Sequence, residues 1–105
     1  MLFAQRVRAF VKKLPKTLAN FEDCRQLVKA SGSTGANYIE ANEALSKKDF
    51  VMRIKICRKE SKESAYWLRL INETNNLKNA DEAERLRQEA NELKKILASI
   101  LTKSK

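Results

Sequence analysis

This 105-residue chain contains no histidine, so the side chains left as candidates for chemistry are its two cysteines and a few of its glutamates. Catalytic triads built on histidine are therefore excluded, and no segment matches the G-x-x-x-x-G-K loop that cradles phosphates. Cys24 and Cys57 would need a lowered pKa to act as nucleophiles, yet both lie on predicted apolar helix faces, where we expect buried, unpaired thiols. The sequence predicts no catalytic residue and no cofactor.

The nearest candidate for a metal site is a set of glutamates at helical spacing. Glu40 and Glu43 could face Glu60 and Glu63 if their helices were neighbours, and paired glutamates on facing helices hold di-iron centres. Those centres also need Glu-x-x-His ligands, which this chain lacks. We therefore expect no bound metal and interpret the protein as non-enzymatic.

The chain is organised around the segment from Ser46 to Asn72, which has a helical pattern with three distinct faces. One face is a seam of apolar and small residues that a fold must bury. The seam consists of Phe50, Ile54, Cys57, Ser61, Ser64, Ala65, Leu68 and Ile71. Beside it lies a second apolar flank, formed by Met52, Ile56, Trp67 and Leu70. If exposed, this flank would mark the interface of a homo-oligomer, whereas a broad core face could also absorb it.

The third face of this segment is basic. Its cations are Lys48, Lys55, Arg58, Lys59, Lys62 and Arg69. Together with a formal net charge of +9, this face could bind the phosphates of RNA or DNA without reading base sequence, and Tyr66 among the cations could stack on an unpaired base. The alternative is a solvated helix face, kept polar for solubility and partly offset by Glu60 and Glu63.

The elements that position these faces are predicted to be helices only, since the chain has two glycines and one proline and a third of its residues are charged. We predict one domain over residues 1–105, an antiparallel up-down four-helix bundle. Its helices should lie near residues 2–14, 20–44, 46–73 and 79–101. The predicted N-caps are Asn20, Ser46, and either Asn79 or Asp81. No apolar run is long enough to span a membrane and no signal peptide is evident, so we expect a cytoplasmic protein.

The segment from Ser31 to Ala36 gives conflicting signals. Its glycines, serines and threonine disfavour a helix interior by up to about 1 kcal/mol each, which predicts a break. Helical spacing resumes beyond it at Tyr38 and Ala41, so a continuous helix whose small side chains let a neighbour approach closely is also possible. From the residues alone, both interpretations stand.

Three motifs carry a resemblance to a known family: Asn-x-Ile-Glu-Ala from Asn37, Lys-Lys-Asp-Phe from Lys47, and Glu-x3-Trp-Leu from Glu63. The chain resembles, over nearly its whole length, the four-helix bundle proteins encoded in intervening sequences of bacterial large-subunit ribosomal RNA genes. The resemblance implies a homopentameric ring. It also implies kinship with the basic accessory protein of diversity-generating retroelements, which partners a reverse transcriptase and nucleic acid.

The resemblance further implies that the second helix is continuous through Ser31–Ala36, and that Asn37, Glu40 and Glu63 occupy polar positions of the family. We expect these three side chains to tie neighbouring helices through buried hydrogen bonds rather than to do chemistry, because a buried carboxylate is costly unless it is paired. The predicted function is a nucleic-acid-binding or ribonucleoprotein accessory. A scaffold for protein interactions that binds no nucleic acid is the alternative.

Overall fold

A computed structural model describes residues 2–75 and 80–104, and within them the chain forms four α-helices and no strand. The helices are α1 (Leu2–Val11), α2 (Leu18–Asn42), α3 (Lys47–Thr74) and α4 (Ala80–Lys103). They pack into a rod with principal extents of 45 × 19 × 19 Å. Helix α3 packs along both α2 and α4, and α1 packs on α2 and α4 from the other side. The predicted up-down four-helix bundle is confirmed.

Two of the helix starts follow from side-chain caps. Ser46 caps α3 as predicted, its Oγ accepting a hydrogen bond from the Asp49 backbone N–H at 3.1 Å. The predicted cap of α2 is wrong, because Thr17 caps that helix and accepts from the Asn20 N–H at 3.1 Å. Threonine is itself a good N-cap, so the helix begins earlier than predicted. Asp81 lies in the first turn of α4 and is not its cap, while the alternative, Asn79, lies outside the described residues.

Asn20 has another role in the fold. Its side chain is buried, and its Nδ2 donates to the Pro15 carbonyl at 3.0 Å and to Asn75 Oδ1 at 2.7 Å. Asn75 Nδ2 donates back to Asn20 Oδ1 at 2.8 Å. Asn75 is half-buried, and its Nδ2 also donates to the Ile71 carbonyl at 2.8 Å. The reciprocal amide pair therefore fastens the start of α2 to the end of α3 and gives the buried Asn20 amide its partners.

Helix α1 ends at Val11, three residues earlier than predicted. The N–H groups of Lys13 and Leu14 bond to the carbonyls of Phe10 and Val11, which is the three-residue spacing of a tightened final turn. Pro15 disfavours the α conformation at the residue before it, so the helix cannot continue through Leu14. Leu14 is nevertheless buried and still contributes to the core.

Helix α2 runs unbroken through Ser31–Ala36, which confirms the continuous interpretation. Ser31 and Thr34 are buried on this helix, as are Ser61 and Ser64 on α3. The Cys57 Sγ of α3 donates to the Thr34 backbone carbonyl at 3.4 Å, so here a side chain of one helix reaches the main chain of the other. Close packing of small residues therefore outweighs the weak local helix propensity of the segment.

The core divides into a larger and a smaller cluster along the rod. The larger cluster takes buried residues from all four helices, among them Phe10, Leu27, Leu68 and Leu86. The smaller cluster uses only α2, α3 and α4. Because α1 has ten residues and α2 has twenty-five, α1 covers only part of the bundle's length.

Candidate nucleic-acid interface and oligomer surface

All six predicted cations of α3 are exposed, and they follow the helix for most of its length. Lys48 and Arg69 lie about 32 Å apart along the axis at the normal α-helical rise. Arg69 is paired with Glu73, its Nε 2.8 Å from Glu73 Oε1. Among residues 2–75 and 80–104, none of the other five forms an ion pair. We call these six residues the α3 basic face: Lys48, Lys55, Arg58, Lys59, Lys62 and Arg69.

Two carboxylates lie close to the α3 basic face. Burial raises the pKa of the Glu60 carboxyl, and the neighbouring Glu63 raises it further, while Lys59 and Lys29 act in the opposite direction. Lys29 is an exposed cation of α2, and its charge is among those that lower the pKa of Glu60. Sequence reasoning missed Lys29, because its effect on Glu60 depends on the relative register of two helices.

A second cation that sequence reasoning missed is Arg53, which ties α3 to α2. Its Nη1 donates to Asn37 Oδ1 at 3.1 Å, and its Nε lies 3.8 Å from Asp49 Oδ1. Asn37 thus links the two helices.

The expectation of buried hydrogen bonds is wrong for Glu40 and Glu63 within this chain, because both are exposed to solvent.

A groove between α2 and α3 lies beside the α3 basic face, with a volume of about 560 Å³. Tyr66 is 57% exposed at this groove. Its ring meets that of Trp67 edge to face, with centroids 4.9 Å apart and an interplanar angle of 77°. The groove is lined by Gln26, Lys59, Lys62, Glu63, Tyr66 and Trp67.

The predicted oligomer flank is only partly exposed. Met52 is exposed, whereas Ile56, Trp67 and Leu70 are half-buried, and Trp67 packs against the larger core cluster. Larger apolar exposure lies elsewhere on the chain. Among residues 2–75 and 80–104, the most exposed large apolar side chains outside the flank are Leu2, Leu18, Phe21, Tyr38, Ile39, Leu45, Tyr66 and Ile96.

Some of these exposed apolar side chains line two grooves. Leu18 (81% exposed) and Phe21 (70% exposed) lie at the elbow between α1 and α2. Tyr38, Ile39 and Ile96 line an apolar groove of about 410 Å³ between α2 and α4. Sequence reasoning missed both grooves, since helical periodicity does not reveal that α1 is too short to cover the whole of α2 and α4.

The cysteines and the acidic side chains are the other groups that the sequence singled out. Burial raises the pKa of both the Cys24 and the Cys57 thiols, and both cysteines are buried and free, as predicted. Within residues 2–75 and 80–104, no group of three or more cysteine, aspartate and glutamate side chains is arranged to hold a metal ion. In the same part of the chain, no helix is both long and apolar enough to cross a membrane.

Fold and surface together define an all-α, strongly basic four-helix bundle. Within that class, the chain belongs to the family of 23S rRNA-intervening sequence proteins, whose sequence profile matches residues 1–99. It is similar to a crystal structure from Bacteroides thetaiotaomicron, described as a protein of unknown function from the S23 ribosomal protein family. The two chains are 32% identical, the match covers 94% of this chain and 91% of that one, and the TM-score is 0.84. A search of curated proteins by sequence gives no match.

Proposed function

We propose that this protein is a non-enzymatic, cytoplasmic accessory that binds nucleic acid or joins a ribonucleoprotein, and that it acts as a homo-oligomeric ring. The observation that supports binding most strongly is the α3 basic face, where five of six exposed cations have no ion-pair partner within the described residues. Cations without carboxylate partners remain available to phosphates.

The binding would be largely independent of base sequence. Lysine and arginine neutralise the phosphate backbone and release its counterions, but most of these side chains would not read base edges. Lys29 on α2 is exposed and its charge lowers the pKa of Glu60 on α3, so it would extend the positive surface beyond a single helix. A ring would repeat this surface around its circumference, and contacts with one long strand would then add up.

The ring is supported by the exposed apolar surface. Contiguous apolar patches usually mark interaction sites, and within the described residues three grooves carry such surface. One lies at the elbow between α1 and α2, one lies between α2 and α4, and one lies at the start of α3 and includes Met52. Contacts between different surfaces of identical subunits must close into a ring or polymerise. The family resemblance suggests five subunits, and it suggests a reverse transcriptase or another protein as the partner to test.

The test of binding compares two charge reversals of equal size. Lys55/Lys59/Lys62→Glu changes the α3 basic face, and Arg85/Lys95/Lys103→Glu changes three exposed cations of α4 as a matched control. Fluorescence anisotropy with labelled RNA and DNA at low salt should show affinity lost in the first variant and mostly kept in the second. Equal losses would mean that net charge alone is responsible, and no binding by the wild type would refute the proposal.

The alternative function is a protein-interaction scaffold. It is favoured by the groove between α2 and α4, whose apolar lining at Tyr38, Ile39 and Ile96 is unlike a phosphate-binding surface. If the wild-type protein binds neither RNA nor DNA at low salt while light scattering shows a stable oligomer, the scaffold becomes the better account.

The ring itself is tested by light scattering at micromolar concentration. We expect a mass of several subunits, and a monomer mass would contradict the ring. Trp67→Glu should dissociate it, but Trp67 also packs on the core, so loss of folding would confuse that result. Met52→Glu is the cleaner variant, because Met52 is exposed in the single chain and its substitution should leave the bundle folded.

A further inference from the structure

The groove between α2 and α3 combines the features that hold one nucleotide. Lys59, Lys62 and Tyr66 are separated by three and four residues and therefore lie along one side of α3. The axial rise from Lys59 to Tyr66 is about 10 Å, and lysine carries its charge on a long flexible stem. Both ammonium groups lie toward the N-terminal end of α3 from Tyr66, where they can reach phosphates of a strand whose base is placed on the Tyr66 ring.

The Tyr66 ring is positioned for stacking. In an edge-to-face pair only one ring has a face covered by its partner, so at least one face of Tyr66 is not covered by Trp67. Trp67 in turn packs on the larger core cluster, which holds the pair in place. A ring that is already held loses little conformational freedom when a base stacks on it.

The charge of this groove also suits a single strand. Lys59 and Lys62 outweigh Glu63, which leaves one formal positive charge among the lining residues. A base in a duplex has both faces covered by its neighbours, whereas an unpaired base can be splayed out onto an aromatic side chain. The arrangement therefore favours unpaired strands.

We propose that this groove is a nucleotide subsite for single-stranded nucleic acid, in which a base stacks on Tyr66 and the adjacent phosphates bind Lys59 and Lys62. The inference rests on the proposed nucleic-acid binding and deepens it. The ligand is an unpaired strand, and Tyr66 is the side chain that distinguishes this strand from a duplex.

The experiment compares Tyr66→Leu with Tyr66→Phe, using a short single-stranded RNA and the duplex of the same sequence. Leucine removes the aromatic ring and phenylalanine keeps it. We expect Tyr66→Leu to weaken single-strand binding by about 5- to 140-fold, which corresponds to the usual contribution of one stacked base. Tyr66→Phe should bind like the wild type, and neither variant should change duplex binding by more than about twofold.

A second readout uses Trp67, the only tryptophan in the chain. A base stacked on Tyr66 would lie close to the indole, so single-stranded RNA should change the intrinsic tryptophan fluorescence, and duplex RNA should not. This change should persist in Tyr66→Phe and disappear in Tyr66→Leu. Circular dichroism and light scattering on each variant would establish that fold and mass are unchanged.

The outcomes separate the subsite from the broader proposal. If the wild type binds RNA and Lys55/Lys59/Lys62→Glu abolishes binding, but Tyr66→Leu binds single strands as well as the wild type, the subsite is refuted and phosphate binding stands. Equal loss of duplex and single-strand binding in Tyr66→Leu would also refute it. If the wild type binds no nucleic acid, the proposed function fails, and the subsite fails with it.

Discussion

Replacing Gly32 with alanine tests whether α2 is helical through residues 31–36, where the local helix propensity is weak. Glycine inside a helix costs about 0.5–1 kcal/mol relative to alanine, mainly through the freedom it has when unfolded. A Cβ at Gly32 would meet only Arg8 Nη2, at 3.4 Å, which is an ordinary contact with the tip of a flexible side chain. The Arg8 Nη1 bonds within its own helix, to the Ala4 carbonyl at 3.1 Å. The new methyl group therefore displaces nothing that holds the helices together.

We expect Gly32→Ala to increase the free energy of unfolding by about 0.5–1 kcal/mol, equivalent to a rise in Tm of about 2–8 °C for a domain of this size. The matched control is Ala36→Gly, an exposed position one turn further along α2, which should lower stability by a similar amount. Thermal and urea unfolding by circular dichroism, at fixed protein concentration, would measure both. If Gly32→Ala is destabilising and Ala36→Gly has no effect, residues 31–36 are not helical in solution and the reasoning is wrong.

Three further predictions concern single side chains. The pKa of Glu60 is raised in the folded state, so the folded protein disfavours the ionised carboxylate. The free energy of unfolding should therefore fall as the pH rises from the ordinary pKa of a glutamate to the raised pKa of Glu60. Glu60→Gln should therefore be more stable than the wild type at pH 7, with the gain disappearing below about pH 4, and urea titrations that show a pH-independent difference would contradict this. Cys24 and Cys57 should react with a thiol reagent only after denaturation, and rapid reaction of the native protein would show that they are accessible. Asn20→Ala should cost about 1–3 kcal/mol because it leaves Asn75 Oδ1 without its donor, whereas a change below about 0.5 kcal/mol would mean that water replaces the bond.

The sequence predicts the four helices well because their apolar seams have a clear period. Ile54, Cys57, Leu68 and Ile71 are all fully buried, as their spacing requires. It predicts the helix ends less well, since Thr17 and Asn20 are both good caps and only the tertiary pairing of Asn20 with Asn75 distinguishes their roles.

The candidate site was predictable only in part. The α3 basic face follows from one helix and its period, so its six cations could be named in advance. Lys29 and Gln26 could not, because they reach the same surface from α2, and nothing in a single sequence gives the rotation of one helix against another. The exposed groove between α2 and α4 was missed for a different reason, because it depends on where α1 ends relative to its neighbours.

The salt dependence of RNA affinity tests the central claim, that the α3 basic face binds phosphates, most directly. Each phosphate contact contributes about 0.7 to the slope of log affinity against log salt for a single strand, so the three substitutions in Lys55/Lys59/Lys62→Glu should make the wild-type slope shallower by about 2. The α4 variant Arg85/Lys95/Lys103→Glu should keep the wild-type slope. Equal slopes in all three proteins, or no measurable binding at low salt, would contradict the claim.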